Sequence, residues 1–155
     1  LEGAFAAKLG GGFSLETSAT WIPVAEFKGD RLAGNGVDVI ATDGNRVTYV
    51  PRIVANVGLG YEVEKLKTML SVNHTGSQFT DLENTKPIVA TTGFFTGQVP
   101  SYTTADLSAR YAVNNKLDVF GSVKNLTDKR YIASMRQGIY VGPERGFEVG
   151  LRYEF

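Results

Sequence analysis

Apolar side chains occupy every second position over several long stretches of this chain. The carboxyl-terminal segment 145–155 shows the pattern most clearly, because one face is apolar while the other holds charged residues and a glycine. The apolar set is Phe147, Val149, Leu151, Tyr153 and Phe155. A period of two predicts a β-strand with one buried face and one wet face. Such a strand is compatible with a water-soluble sandwich and with a membrane barrel.

The same period predicts six further strands along the chain. The first is the end of a strand at 1–7, and the others span 13–21, 49–62, 66–73, 103–113 and 117–124. Three short turns are predicted at 8–12, 64–65 and 114–115, and three long irregular segments at 24–48, 79–98 and 131–144. Glycine and Asn-Asn pairs in the turns support these boundaries. The sequence therefore predicts an all-β fold.

Short turns and long segments alternate strictly along the chain. In an antiparallel up-and-down sheet, this order brings every long segment to the same end. Outer-membrane barrels are built in this way, with short turns on one side of the membrane and long loops on the other. A Greek-key sandwich has no reason to sort its connections by length. The loop pattern therefore favours an up-and-down transmembrane β-barrel over a sandwich.

Strand length and aromatic placement favour the same fold. A strand of about 11 residues, rising ~3.4 Å per residue at a tilt near 40°, covers roughly the thickness of a bilayer core. Aromatic residues on the apolar faces cluster near the two strand ends, where a barrel meets the two membrane interfaces. The expected interface aromatics are Phe13, Tyr61, Tyr111, Tyr153 and Phe155 near the short turns, and Trp21, Tyr49 and Phe147 near the long loops.

Composition excludes several functions. The 155 residues contain 16 basic and 16 acidic side chains, and without a dense basic run a nucleic-acid partner is not expected. Cysteine is absent and His74 is the only histidine, so a transition-metal site and a bound cofactor are not expected either. No apolar run approaches the roughly 18 residues of a membrane helix. No catalytic set of nucleophile and base can be assembled, and the chain is not expected to be an enzyme.

The last third of the chain carries motifs of a known family. The stretch 123–131 reads Val-Lys-Asn-Leu-Thr-Asp-Lys-Arg-Tyr, the stretch 138–145 reads Gly-Ile-Tyr-Val-Gly-Pro-Glu-Arg, and the chain closes on Tyr-Glu-Phe. This order resembles the carboxyl end of TonB-dependent outer-membrane receptors. Tyr-Val-Pro-Arg at 49–52 is also similar to that family, and Ser-Gln-Phe at 77–79 with the Gly-Ile-Tyr run resembles its ferric dicitrate type. Thr127 stands where the family usually has Phe.

The resemblance implies a fold and a function. Residues 1–155 would form about seven carboxyl-terminal strands of a barrel of about 22 strands. The plug domain and the segment that contacts TonB would lie outside this chain. The intact protein would sit in the outer membrane of a Gram-negative bacterium, in contact with lipid, and import a ferric siderophore or ferric citrate. Iron would travel inside the chelate rather than on protein ligands.

The expected ligand contacts are polar residues of the long segments. Ferric citrate is anionic, and guanidinium groups bind carboxylates through paired hydrogen bonds. The candidates are Arg31, Lys86, Gln98, Arg136 and Gln137. Solvated loop charges without a ligand are the alternative for each residue. A passive porin or adhesin-type barrel and, with less support, a soluble β-sandwich binding module remain as alternatives for the whole chain.

Overall fold

The computed structural model describes residues 1–33 and 35–155, and its regular elements are β-strands. In chain order these are β1 (Glu2–Gly10), β2 (Phe13–Trp21), β3 (Arg31–Leu32), β4 (Val39–Ile40), β5 (Ile53–Val63), β6 (Leu66–Thr75), β7 (Gln78–Phe79), β8 (Val89–Thr91), β9 (Phe94–Thr96), β10 (Gln98–Val99), β11 (Tyr102–Asn114), β12 (Leu117–Lys124), β13 (Ile132–Met135), β14 (Ile139–Val141) and β15 (Gly146–Tyr153). No helix long and apolar enough to cross a bilayer occurs in this part of the chain.

Seven long strands form one antiparallel sheet in the order β1-β2-β5-β6-β11-β12-β15. Each strand pairs with the next long strand along the chain, so the sheet is an up-and-down meander. The three long connections are loop 1 (22–52), loop 2 (76–101) and loop 3 (125–145), and all three lie at the same end of the sheet. The predicted fold class and the predicted sorting of the connections are confirmed.

The strand register places apolar residues in rows across the sheet. One row runs from β1 to β15 through directly paired residues, namely Ala7, Leu15, Leu59, Leu70, Leu107, Val123 and Phe147. We call the side that carries this row the apolar face and the opposite side the polar face. Leu59 remains 42% exposed in the middle of the sheet. No second sheet covers this face within the described residues, so the β-sandwich alternative is not supported.

Several predicted strand boundaries differ from the structure, and three of the differences are informative. Strand β1 continues to Gly10, and the turn that follows is shorter than predicted because Gly10, Gly11 and Gly12 all adopt positive φ. Strand β5 begins at Ile53, since Tyr49 has a φ of 59° and lies outside the sheet. Strand β11 includes Asn114.

The third difference has a clear hydrogen-bond cause. Oδ1 of Asn114 accepts the N–H groups of Lys116 and Leu117 at 2.8 and 3.0 Å. The side chain thus closes the turn from the last residue of β11, as Asn side chains often do in turns. The reversal falls at residues 115–116, one residue later than predicted.

The long loops are folded rather than irregular. They contain the small antiparallel pairs β3–β4, β7–β10, β8–β9 and β13–β14. The most buried apolar side chains, Val99 and Met135, lie in loops 2 and 3, and Thr42 of loop 1 is also fully buried. The described part of the chain therefore has its dry core among the loops, because the long sheet keeps both of its faces open. We call the three loops together the loop layer.

Candidate ligand-binding site: the loop layer and the polar face

A chain of polar contacts crosses the polar face near the loop layer. Nδ2 of Asn56 donates to Oδ1 of Asn73 at 2.7 Å, and Nδ2 of Asn73 lies 3.4 Å from Oδ2 of Asp106. Nζ of Lys124 lies 3.7 Å from the same carboxylate oxygen. These four residues stand on β5, β6, β11 and β12, where the period of two turns them away from the apolar face. The polar face thus presents amides and one ion pair just below the loops.

Loops 1 and 2 are joined by a two-sided hydrogen bond. Oδ1 of Asn84 accepts the backbone N–H of Arg46 at 2.6 Å, and Nδ2 of Asn84 donates to the carbonyl of Arg46 at 3.0 Å. Nδ2 of Asn45 donates to the carbonyl of Leu82 at 2.9 Å. Asn84 has a φ of 57°, a conformation that Asn tolerates better than most residues. Hydrogen bonds from asparagine side chains to main-chain groups therefore hold the two loops together.

Loop 3 is attached to both of the other loops. The hydroxyl of Tyr49 in loop 1 donates to the carbonyl of Met135 at 2.8 Å. The N–H of Phe95 in loop 2 donates to the carbonyl of Arg136 at 2.7 Å. The Met135 side chain is fully buried, so it offers no contact to a ligand. The loop layer is one interlocked unit at one end of the sheet.

A nearly buried arginine closes the base of loop 1. The guanidinium of Arg46 donates to the carbonyls of Ile22 and Pro23 at 3.2 and 3.1 Å, and Arg52 donates to the same Pro23 carbonyl at 3.0 Å. Burial lowers the pKa of Arg46, the nearby charge of Arg52 lowers it further, and Glu26 acts in the opposite direction. The guanidinium groups hold the point where the chain leaves β2 and returns to β5.

The turn after β12 is organised by Asn125. Its side chain is buried, donates to the carbonyls of Lys129 and Pro143 at 3.0 and 2.9 Å, and accepts the N–H of Lys129 at 2.9 Å. Its own N–H donates to Oδ1 of Asp106 at 2.8 Å. Asn125 therefore ties both ends of loop 3 to the sheet.

Asp128 completes the same turn from the other side. It has a φ of 53°, and its Oδ1 accepts the N–H of Arg145 at 3.1 Å. Its second oxygen lies 3.8 Å from the Arg145 guanidinium. Asn125 and Asp128 of the Asn-Leu-Thr-Asp motif therefore both form hydrogen bonds to main-chain groups just before β15.

Two tyrosines stack where loop 3 meets β11. The rings of Tyr102 and Tyr131 lie 4.1 Å apart at an interplanar angle of 23°. Behind Tyr131, a side chain on Gly142 would overlap the ring, so the glycine is needed for this close approach. The sequence analysis did not predict this pair. The available signals were Tyr131 and Gly142 within the family-like stretches, but neither indicates Tyr102 as a partner.

The predicted ligand residues all lie in the loop layer, but the structure does not gather them into one cluster. Arg31 stands over the ring of Phe27 in its own loop, 5.3 Å from the ring centroid. Nε2 of Gln98 donates to Ser77 Oγ at 3.2 Å, and the Gln98 N–H reaches the Lys86 carbonyl at 3.3 Å. Gln98 and Lys86 are thus neighbours, whereas no contact joins Arg31 to them in the described residues.

The remaining two candidates, Arg136 and Gln137, stand at the exposed turn between β13 and β14. The main chain of Arg136 is engaged on both sides, since its N–H donates to the carbonyl of Gly138 at 3.0 Å and its carbonyl accepts the Phe95 N–H. The guanidinium and the amide side chain are left to solvent. The roles of all five residues in ligand binding stay predictions.

Seven of the eight predicted interface aromatics lie in or beside long strands on the apolar face. Phe13 and Tyr61 pair across β2 and β5 with their ring centroids 4.6 Å apart, and Tyr153 meets Phe155 edge to face at 5.2 Å. Tyr49 differs, because it belongs to the loop layer and binds loop 3 through its hydroxyl. Contact of these rings with lipid stays a prediction.

No group of three His, Cys, Asp or Glu side chains that could hold a metal ion occurs in residues 1–33 and 35–155. The family-like motifs instead act on the main chain, as the Asn125 turn shows. The site is therefore a shaped, polar surface without an evident metal centre in the described residues.

Comparison with known proteins identifies relatives that share this architecture. Residues 1–126 match the family model described as TonB dependent receptor-like, beta-barrel. A probable TonB-dependent siderophore receptor, PiuA of Acinetobacter baumannii, is 28% identical over 124 residues, which are 79% of this chain and 15% of that receptor. The chain thus spans about a seventh of the length of this curated relative.

Solved structures of such receptors share the fold. The structure of PiuA from Acinetobacter baumannii matches 98% of this chain and 21% of its own, with a TM-score of 0.75 at 21% identity. The ferric yersiniabactin uptake receptor FyuA from Yersinia pestis matches 99% of this chain and 23% of its own, with a TM-score of 0.71 at 20% identity. The ferric citrate transporter FecA matches 91% of this chain and 21% of its own, with a TM-score of 0.72 at 21% identity.

These matches confirm the family resemblance but do not single out the ferric dicitrate type, because FecA is one of several receptors with a similar fold. The relatives are receptors rather than enzymes, in agreement with the sequence analysis. The seven-stranded meander, the sorted loops and the family match over residues 1–126 lead to one conclusion. The chain belongs to the TonB-dependent receptor β-barrel family.

Proposed function

We propose that this chain is part of an outer-membrane receptor that imports a ferric chelate with energy supplied through TonB. The observation that carries the proposal is the family match over residues 1–126 of a sheet whose long loops all stand at one end. In such a receptor the loop layer faces the outside of the cell, and the polar face lines the interior of the barrel. The plug domain and the TonB-contacting segment are partners supplied by other parts of the receptor.

The apolar face supports a place in the outer membrane of a Gram-negative bacterium. Its side chains form a continuous aliphatic row with aromatic residues towards the ends of the strands. An exposed apolar surface of this extent is unfavourable in water but suits the hydrocarbon core of a bilayer. The polar face carries amides and ion pairs that would lose hydration in lipid, so it belongs on the water-filled side.

The proposed class of ligand is an anionic ferric chelate, and ferric citrate is the specific candidate. Loop 3 contains four basic and two acidic side chains and is the most positive of the three loops. Arginine binds carboxylates through two parallel hydrogen bonds. Arg31 of loop 1 and Arg136 of loop 3 are exposed and are the arginines proposed to meet the chelate. Iron stays within the chelate as cargo.

The proposal is tested with the full-length receptor that contains this chain. Bacteria that express it under iron limitation are expected to accumulate radiolabelled iron supplied as a ferric chelate, and deletion of tonB is expected to abolish the uptake. Uptake that continues without TonB would instead indicate a passive porin. The proposed function is then rejected.

The residue assignment has its own test. In the purified receptor, replacement of Arg31 and Arg136 together by alanine is expected to weaken ferric citrate binding about a hundredfold, since each of the two charge-assisted contacts contributes about 1.5 kcal/mol. Lys65→Ala is the control, because Lys65 stands in a short turn at the opposite end of the sheet. Equal affinities of the double variant and the control remove these two arginines from the ligand site.

A further inference from the structure

We propose that the outer edge of β14 is a docking site for one further extended segment of the same receptor. The segment is the connection that enters the loop layer beside loop 3, on the open side of the main sheet. It would add a third strand to the β13–β14 hairpin through main-chain hydrogen bonds. This inference rests on the proposed function, because it requires the chain to be one part of a closed barrel. The surface takes a polypeptide rather than a ferric chelate.

Hydrogen bonds at both ends of the β13–β14 hairpin show which way the main chain of β14 points. At one end the N–H of Gly142 donates to the carbonyl of Tyr131 at 2.9 Å. At the other end the N–H of Arg136 donates to the carbonyl of Gly138 at 3.0 Å. The two glycines that flank β14 therefore direct these main-chain groups towards β13.

The outer edge of β14 is open. Main-chain polar groups alternate between the two sides of a strand, so those of Ile139 and Val141 point away from β13. No hydrogen bond joins them to another part of the chain that the structure describes. The side chains are open as well, since Val141 is 73% exposed and Tyr140, on the other face, is 53% exposed. An apolar edge of this kind accepts a further strand.

β14 stands on the side of the loop layer where the main sheet is also open. β13 packs against β9 and β10 of loop 2, and the Phe95 N–H donates to the Arg136 carbonyl at 2.7 Å. β14 therefore lies on the far side of β13 from loop 2. In the main sheet, the order β6-β11-β12-β15 likewise runs from the strands that flank loop 2 to the open edge of β15. The open edges of β14 and β15 thus lie on the same side.

The open edge of β15 identifies the segment that reaches β14. Val149 of β15 is 81% exposed, whereas Leu59 on the same face in the middle of the sheet is 42% exposed. An open edge in a bilayer leaves main-chain groups without partners, so a barrel pairs β15 with a further strand. This chain covers 15% of the receptor PiuA, so a receptor of that kind has further strands to supply.

The direction of that further strand brings its connection to β14. Neighbouring strands of the main sheet are antiparallel, and β15 runs away from the loop layer. A strand paired with the open edge of β15 therefore runs towards the loop layer. The connection that follows it emerges beside loop 3, on the side where the polar groups of β14 are unpaired.

Hydrogen exchange of the full-length receptor in detergent micelles tests the docking edge, with mass spectrometry that resolves single amides. A paired edge is expected to slow exchange of the Ile139 and Val141 N–H groups about tenfold or more relative to an unstructured amide. The Tyr140 N–H faces β13 and is the internal control, because it should be protected in either case. Fast exchange at Ile139 and Val141 overturns the docking edge. Protection that disappears when the receptor is diluted also overturns it, because a second copy would then cover the edge.

Val141→Pro is a second test, since proline lacks an N–H and is tolerated where an edge strand faces solvent. With a paired edge, the variant loses a hydrogen bond, and trypsin cleavage after Arg136 should accelerate about tenfold. The matched control Val141→Thr keeps the N–H and the β-branched shape and should change the rate far less. Heat-modifiability on gels checks that each barrel is folded, and exchange in the wild-type receptor carries the test if the proline variant does not fold. Equal cleavage rates in the two folded variants overturn the docking edge.

The uptake experiment separates this inference from the proposed function. A receptor that shows TonB-dependent uptake but fast exchange at both outer amides keeps the proposed function and overturns the docking edge. A receptor with protected outer amides but without TonB-dependent uptake supports the docking edge in a closed barrel and rejects the proposed function.

Discussion

Asn125 binds Pro143 across the whole of loop 3, since its Nδ2 donates to the Pro143 carbonyl at 2.9 Å. Asn125 follows the last residue of β12, and Pro143 stands three residues before β15. The bond therefore joins the exit of one strand to the entry of the next, over 18 residues of sequence. A buried amide in this position replaces the strand pairing that stops at the rim of the sheet.

Asn125→Ala is expected to destabilise the receptor by about 3 to 4 kcal/mol. The change removes three hydrogen bonds of about 1 kcal/mol each and leaves alanine at a φ of 50°, which costs about 1 kcal/mol more. Urea unfolding of the receptor in detergent micelles measures the effect. Asn125→Gly removes the same bonds without the backbone strain and should be milder, whereas Asn115→Ala in the short turn should behave as wild type.

Asn84→Ala is expected to release loop 1 from loop 2. The variant loses both hydrogen bonds to the main chain of Arg46, while Asn84→Asp keeps the bond from the Arg46 N–H and loses the other. Cleavage by trypsin at Lys28 and Arg31 should accelerate roughly tenfold in the alanine variant and less in the aspartate variant, because local opening exposes the loop to protease. Equal cleavage rates in all three proteins would show that the loops are held by other contacts.

Gly150→Ala is expected to cost about 1 to 3 kcal/mol, because a side chain there would overlap the ring of Phe120 on the neighbouring strand. The matched control is Gly146→Ala in the same strand, where a side chain meets nothing within 4 Å. Combining Gly150→Ala with Phe120→Ala removes the overlap, so the double variant should be more stable than the sum of the single losses by about 1 kcal/mol. Strict additivity would mean that the two residues do not touch in the folded barrel.

Val149→Arg is expected to destabilise the barrel by about 2 to 4 kcal/mol, since the side chain would place a charge in the middle of the apolar face. Glu148→Arg, one residue earlier, points to the polar face and should cost far less. Unfolding of the receptor in lipid vesicles compares the two variants. A larger loss for Glu148→Arg would reverse the assignment of the two faces.

The sequence by itself determined the strands and their faces. The period of two is a local property: each residue of a strand points opposite to its neighbours whatever lies around it, so Phe13–Trp21 and Leu117–Lys124 were predicted at their observed bounds. The length of each connection is also a local property, and the alternation of short and long connections predicted the up-and-down order of the strands. The pattern was wrong at Tyr49. The alternation of apolar and polar residues includes Tyr49, but Pro51 and the φ of 59° at Tyr49 keep this segment out of the sheet, and β5 begins only at Ile53.

Only the tertiary structure decided how the loops are joined and which residues they bring together. The Tyr49 hydroxyl reaches Met135 over 86 residues, and Asn84 reaches Arg46 over 38. The Tyr102–Tyr131 stack likewise depends on Gly142 being placed behind one ring. Hydrogen bonds and ring contacts of this kind depend on distances in space between segments without periodic patterns. The sequence contains the residue types that make these contacts, but it does not show which residues pair with each other.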